Sequence, residues 1–136
     1  MFDDFNSHFV SSFSINFTTG TRINILKNSR DDIAFRFNPN FRRKAVIRNS
    51  LSCGTWGHEE THGEFPFSPK TPYEITILVE VNSYKIAVNG KHFTEFSDRF
   101  FKNEITHLLI GGDTSIDEIA FEKDAAQWYH RNYPYK

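Results

Sequence analysis

Between Arg36 and His62 the chain carries a dense run of residues capable of chemistry. His58-Glu59-Glu60-Thr61-His62 has the order of a zinc-protease motif, in which a helix must bring both imidazoles to one face a single turn apart. Gly54, Gly57, Gly63 and Pro66 crowd this segment and oppose a helix. In extended chain the two histidines stand roughly 13 Å apart, beyond the reach of one ion, so no metal site is expected. Glu59 and Glu60 are chain neighbours whose carboxylates point to opposite faces of a strand and cannot flank one glycosidic bond. Cys53, beside Gly54, has no His or Asp that the sequence places near it, and a nucleophile needs a base. Gly111-Gly112-Asp113 opens no helix and makes no phosphate loop. No catalytic residue and no cofactor is assigned, and the chain reads as non-enzymatic.

What remains is a set of polar residues on the solvated faces of neighbouring strands: Arg36, Asn38 and Asn40, then Asn49, then Trp56, Glu59 and Thr61. Trp56 lies between Gly54 and Gly57, which would expose its indole. The negative face of an indole attracts the weakly positive C–H groups on one side of a pyranose, while amides and carboxylates meet its hydroxyls as donors and acceptors. An isolated Trp in a β-sandwich is otherwise more often core than platform.

The elements that must hold these side chains read as strands. In Ile33-Ala34-Phe35-Arg36-Phe37-Asn38 the apolar Ile33, Phe35 and Phe37 share one face and Arg36 and Asn38 the other. Over Tyr73–Val81 the alternation predicts Ile75, Ile77, Val79 and Val81 inward and Glu74, Thr76 and Glu80 toward solvent. Turns are expected at Thr19-Gly20, Asn38-Pro39, Asn82-Ser83 and above all Asn89-Gly90, between strands Tyr84–Val88 and His92–Phe96. With Phe13–Phe17, Arg22–Leu26, Ala45–Asn49, Ile105–Ile110 and Ile116–Phe121 this makes roughly nine to eleven strands, as suits two packed antiparallel sheets in a sandwich or jelly roll. Ala125-Ala126-Gln127-Trp128 predicts a helical turn or two.

The 136 residues suffice for one core. Lys+Arg 16 against Asp+Glu 17 leaves a formal charge of −1, so no net field draws the chain to nucleic acid or an anionic membrane. No apolar run has the length of a membrane span. Met1–Asn6 shows no basic or apolar signal region, and one cysteine excludes an internal disulfide. A reducing, cytoplasmic setting is therefore expected, which discounts the sequon Asn16-Phe17-Thr18.

The order Phe35-Arg36-Phe37-Asn38-Pro39-Asn40-Phe41, Val46-Ile47-Arg48-Asn49-Ser50, Trp56-Gly57-His58-Glu59-Glu60, Phe65-Pro66-Phe67 and Val88-Asn89-Gly90-Lys91-His92-Phe93 resembles the galectins, from about Phe9 to Phe121. The resemblance implies an all-β jelly-roll sandwich of two antiparallel sheets with a galectin-like carbohydrate-recognition domain over residues 1–121. Residues 122–136 form a C-terminal extension whose aromatics are expected to pack on the sandwich or serve a second chain. It also implies β-galactoside binding without a metal and release by a route that uses no signal peptide. A second copy or a second lectin domain would be a partner in keeping with the family.

The family site reads His-x-Asn-x-Arg, then Asn, then Trp-x-x-Glu-x-Arg. Asn38, Asn49, Trp56 and Glu59 match, and by resemblance contact galactose, with Trp56 stacking beneath the ring. Arg36 stands where the family has His, Asn40 where it has the first Arg, and Thr61 where it has the second. The missing contacts include those to the axial 4-hydroxyl and the braces of Glu59. Hydrogen bonds to charged groups contribute about 1.5–3 kcal/mol, so the losses at Asn40 and Thr61 are expected to weaken lactose binding about a hundredfold or more, with Arg36 compensating in part. The expectation is a lectin of altered or weakened specificity for galactose-containing glycans. The alternative is a degenerate lectin fold serving protein interaction, its groove closed by Arg36 paired with Glu59.

Overall fold

The computed structural model describes residues 12–22, 31–99 and 104–134. Eight strands and one helix are described: β1 (Phe13–Thr18), β2 (Ile33–Asn40), β3 (Ala45–Ser52), β4 (Thr55–Trp56), β5 (Ile75–Val79), β6 (Ser83–Val88), β7 (Lys91–Ser97), β8 (His107–Gly112) and α1 (Ala125–Asn132). They form two antiparallel sheets, one ordered β4-β3-β2-β1-β8 and the other β5-β6-β7, so the all-β class stands. The chain divides into two compact units. One holds the first sheet and takes up Asp98–Thr114, while the other comprises Pro66–Ser97 and the chain from Ser115 on.

In the five-stranded sheet, Ile15 pairs with Phe37, Phe17 with Phe35 and Asn16 with Arg36, so the two faces sort by polarity. Phe13, Phe35, Phe37 and Val46 are buried on one face, in keeping with a period of two. Arg36 pairs with Asn49 across β2 and β3, which puts both on the other face, where alternation adds Asn38 and Asn40. A register shift between Ile33 and Arg36 marks a bulge just before these residues.

The expected turn at Asn38-Pro39 is not there. β2 runs on through Pro39, paired with Val46, and the reversal falls at residues 41–44, where Lys44 takes φ 52° and the Arg43 N–H donates to Asn40 Oδ1 at 2.9 Å. An Asx-type turn at Asn40 thus replaces the proline turn. Asn89-Gly90 is the expected hairpin turn, with φ of 52° and 81° as a type I′ turn requires.

Two other expectations need correction. Val79 ends β5 exposed, and Val81, 88% exposed, lies beyond the ladder in the bend that Glu80 closes by donating its N–H to Ser83 O. Ile116–Phe121 forms no strand. It pairs with none of the described strands, and Phe121 is 83% exposed, because alternation alone supplies neither ladder partners nor a buried face. The expected strand Arg22–Leu26 lies almost wholly outside the described residues.

The helical turn expected near Ala125 is an eight-residue helix. So short a helix is unstable alone and must be held by packing. Tyr129 and Tyr133 provide it, buried with Leu78 and Ala87 and flanked by Ala125. The β5 face expected to be solvated is therefore partly covered. Thr76 Oγ1 lies 3.2 Å from the Tyr133 hydroxyl, and His92 Nδ1 lies 3.1 Å from that of Tyr129. Lys85 binds Glu80, which also faces His130 at 3.6 Å.

Burial pushes the His92 imidazole below its ordinary value, Lys85 and His130 push the same way, and Glu95 opposes them. The folded chain then favours the neutral ring and binds fewer protons than the unfolded chain, so stability is full above about pH 6.5 and falls as pH drops through that value. Melting curves at pH 7.5 and 5.5 should show the loss, and His92→Gln should make it shallower. An unchanged slope in that variant would contradict the assignment.

Candidate functional site

All seven polar residues singled out from the sequence lie in the unit built on the five-stranded sheet. Arg36, Asn38 and Asn40 are carried by β2, Asn49 by β3 and Trp56 by β4, which is held to β3 by the pairs Leu51–Trp56 and Ser52–Thr55. Cys53 and Gly54 turn the chain between them with φ of 51° and 79°. The indole is 37% exposed, as the flanking glycines suggested, and the Arg36 guanidinium lies over its ring at 5.6 Å from the centroid. This is within the range of a cation–π contact.

Arg36 also donates through Nη1 to Asn16 Oδ1 at 3.2 Å, and Asn16 Nδ2 donates to Ser14 Oγ and Leu109 O. Burial lowers the pKa of the guanidinium from its ordinary value. Arg36 does not pair with Glu59, as one reading of the sequence had it. Glu59 Oε1 accepts from Arg43 Nη2 at 3.4 Å, both side chains half exposed. Arg43 thus provides the cation that Asn40 and Thr61 do not. Thr61 is exposed.

Asn38 and Asn49 are tied into the scaffold. Asn38 Nδ2 donates to Phe13 O at 2.6 Å. Asn49 Nδ2 donates to Gly57 O at 2.9 Å, and its Oδ1 accepts from Ser50 N–H and from Arg99 Nη1, each at 2.8 Å. Arg99 further donates to Ser50 Oγ, to His58 O at 2.7 Å and to Glu60 Oε2 at 3.1 Å. One guanidinium therefore clamps the Gly57–Glu60 segment against β3. Gly57 leaves room for this clamp, since a Cβ there would stand 2.6 Å from Arg99 Nη1 and 3.2 Å from Asn49 Oδ1 and would push the guanidinium aside.

The segment His58–His62 is not helical. Glu60 makes an antiparallel bridge with Arg48, whose Nη1 donates to Val46 O at 2.7 Å and His62 O at 3.0 Å. Both histidines are exposed along an extended run, and the His62 ring lies beside the Arg48 guanidinium. Arg43, Arg99 and Asn16 were not singled out from the sequence. Arg43 could have been found as a cation close in the chain to Asn40, but nothing marks Arg99, 50 residues from Asn49, as its partner.

Chemically, this face offers an apolar aromatic plate, amides, a carboxylate and three guanidinium groups. That is a recognition surface for a polar ligand with one weakly apolar side.

The family model described as galactoside-binding lectin matches residues 7–121. A 32 kDa beta-galactoside-binding lectin of Haemonchus contortus is 41% identical over 100 residues, covering 74% of this chain and 35% of that protein. Human galectin-4 is 34% identical over 116 residues, covering 85% and 34%. The chain thus spans about a third of the length of these curated relatives. Among solved structures, Caenorhabditis elegans galectin LEC-6 matches with TM-score 0.63 and 31% identity over 76% of this chain and 66% of that one. Sheep galectin-11, in complex with glycerol, matches with TM-score 0.66 and 32% identity over 79% and 76%.

Proposed function

Because the chain belongs to the galactoside-binding lectins, the galectins, we propose that it binds galactose-containing glycans on the polar face of its five-stranded sheet, with a specificity altered at Arg36, Asn40 and Thr61. Membership places it among carbohydrate-binding proteins without enzymatic activity. The observation that carries the reading is the partly exposed Trp56 on the face that also presents Arg36 and Asn49. In this reading galactose stacks on the indole, Asn38 and Asn49 offer amide groups to its hydroxyls, and Glu59 is held by Arg43 toward a neighbouring sugar.

The test is a glycan array with lactose titration by calorimetry, repeated with Trp56→Ala. Loss of the stacking plate is expected to lower affinity at least about tenfold with the fold intact. A folded protein that binds no glycan would overturn the proposal. It would favour a second reading, a lectin fold serving protein interaction, which has its own support: Arg36 lies over the indole, and the Asn49 amide is already bonded within the chain.

A further inference from the structure

The three arginines near the candidate site differ in how their charge is met. Arg43 faces Glu59 and Arg99 faces Glu60. Arg36, by contrast, meets an amide oxygen and an indole face, and no carboxylate among the described residues. A charge taken out of water is costly unless it is paired, and an amide with an aromatic face offsets only part of that cost.

We propose that Arg36 is a specificity-determining residue that selects galactosides bearing an anionic substituent, a sulfate ester or a carboxylate. This rests on the proposed sugar site. The guanidinium occupies the plate on which a pyranose would stack. A neutral sugar must displace it and leave its charge with less compensation than before. An anionic sugar displaces it equally, but then receives it in a bidentate, charge-assisted pair, which matches the fork of a guanidinium. β4 is paired to β3 and the Arg99 clamp holds the segment that follows it, so the adjustment falls on the Arg36 side chain. Burial, which lowers the pKa of the group, agrees with an unmet charge.

The experiment titrates the protein with lactose, with lactose sulfated on galactose at positions 3, 4 or 6 in turn, and with sialyllactose, at low and moderate salt. Wild type, Arg36→Gln, Arg36→Lys and Trp56→Ala are compared, each checked by melting curve. At least one acidic ligand is expected to bind about ten- to a hundredfold more tightly than lactose, less so as salt rises. Arg36→Gln should erase the preference, Arg36→Lys should keep part of it, and Trp56→Ala should weaken neutral and acidic ligands together. The sulfated and sialylated arms tell the two anions apart. Equal affinity for lactose and every acidic form, or a preference that survives Arg36→Gln, overturns the inference and leaves the sugar site standing. Folded wild-type protein that binds neither neutral nor acidic galactosides overturns both.

Discussion

Arg48→Leu is expected to lower the unfolding free energy by about 3–5 kcal/mol, a large part of what a domain of this size holds. Arg48 is fully buried on β3, at 0% exposure, and donates to the carbonyls of Val46 and His62. Burial lowers the pKa of its guanidinium, and the nearby charge of Glu60 raises it in part. Leucine fills some of the volume but leaves those two carbonyls without their donor, at about 1–3 kcal/mol each. The bond to His62 O also ties the run after Trp56 to β3, so glycan affinity should fall with stability. Arg48→Lys, which keeps the charge but loses the fork, should fall between. Denaturant titration provides the measurement, and a leucine variant as stable as wild type would show that the carbonyls find other donors.

Tyr129→Ala is expected to cost about 3–5 kcal/mol as well, by a different route. Tyr129 is 1% exposed, packs against Leu78 and Ala87, and meets the Tyr133 ring edge-on at a centroid distance of 4.9 Å. Its removal opens a cavity and takes from α1 the packing that an eight-residue helix needs. Far-ultraviolet circular dichroism should therefore show the helix melting as the melting temperature falls. Tyr129→Phe, which keeps the ring and loses the contact to His92 Nδ1, should cost about 1 kcal/mol. No candidate sugar-binding side chain comes from this helix or from its sheet, so affinity measured well below the melting point should be retained. A helix that persists in Tyr129→Ala would mean that Tyr133 and Ala125 hold it unaided.

Most of the sheet structure and the candidate site are legible in the sequence for one reason: a strand has period two, so apolar and polar residues that alternate declare their faces without reference to anything distant. Arg36, Asn38 and Asn40 could be placed on one face of β2 in this way, and Asn89-Gly90 could be read as a hairpin because a type I′ turn needs positive φ at both positions. The family was legible differently, through the resemblance of five ordered motifs to the galectins. Where a residue's role depends on what comes to meet it, local pattern gives no answer. Ile116–Phe121 has the composition of a strand and forms none among the described residues, whereas Thr76 on a face expected to be wet is covered by Tyr133 from 57 residues away.

The sequence by itself determined most of the strands and the two faces of β2, because these are written in spacing over a few residues, and it carried the family through the resemblance of its ordered motifs. Only the tertiary structure decided that Arg36 lies on Trp56 instead of pairing with Glu59, that Arg43 takes that carboxylate, that Arg99 pins Asn49, and that Arg48 is buried. A long, flexible cation reaches several partners of similar energy, and the choice among them is made by the order of strands in the sheet and by the bonds already formed around it.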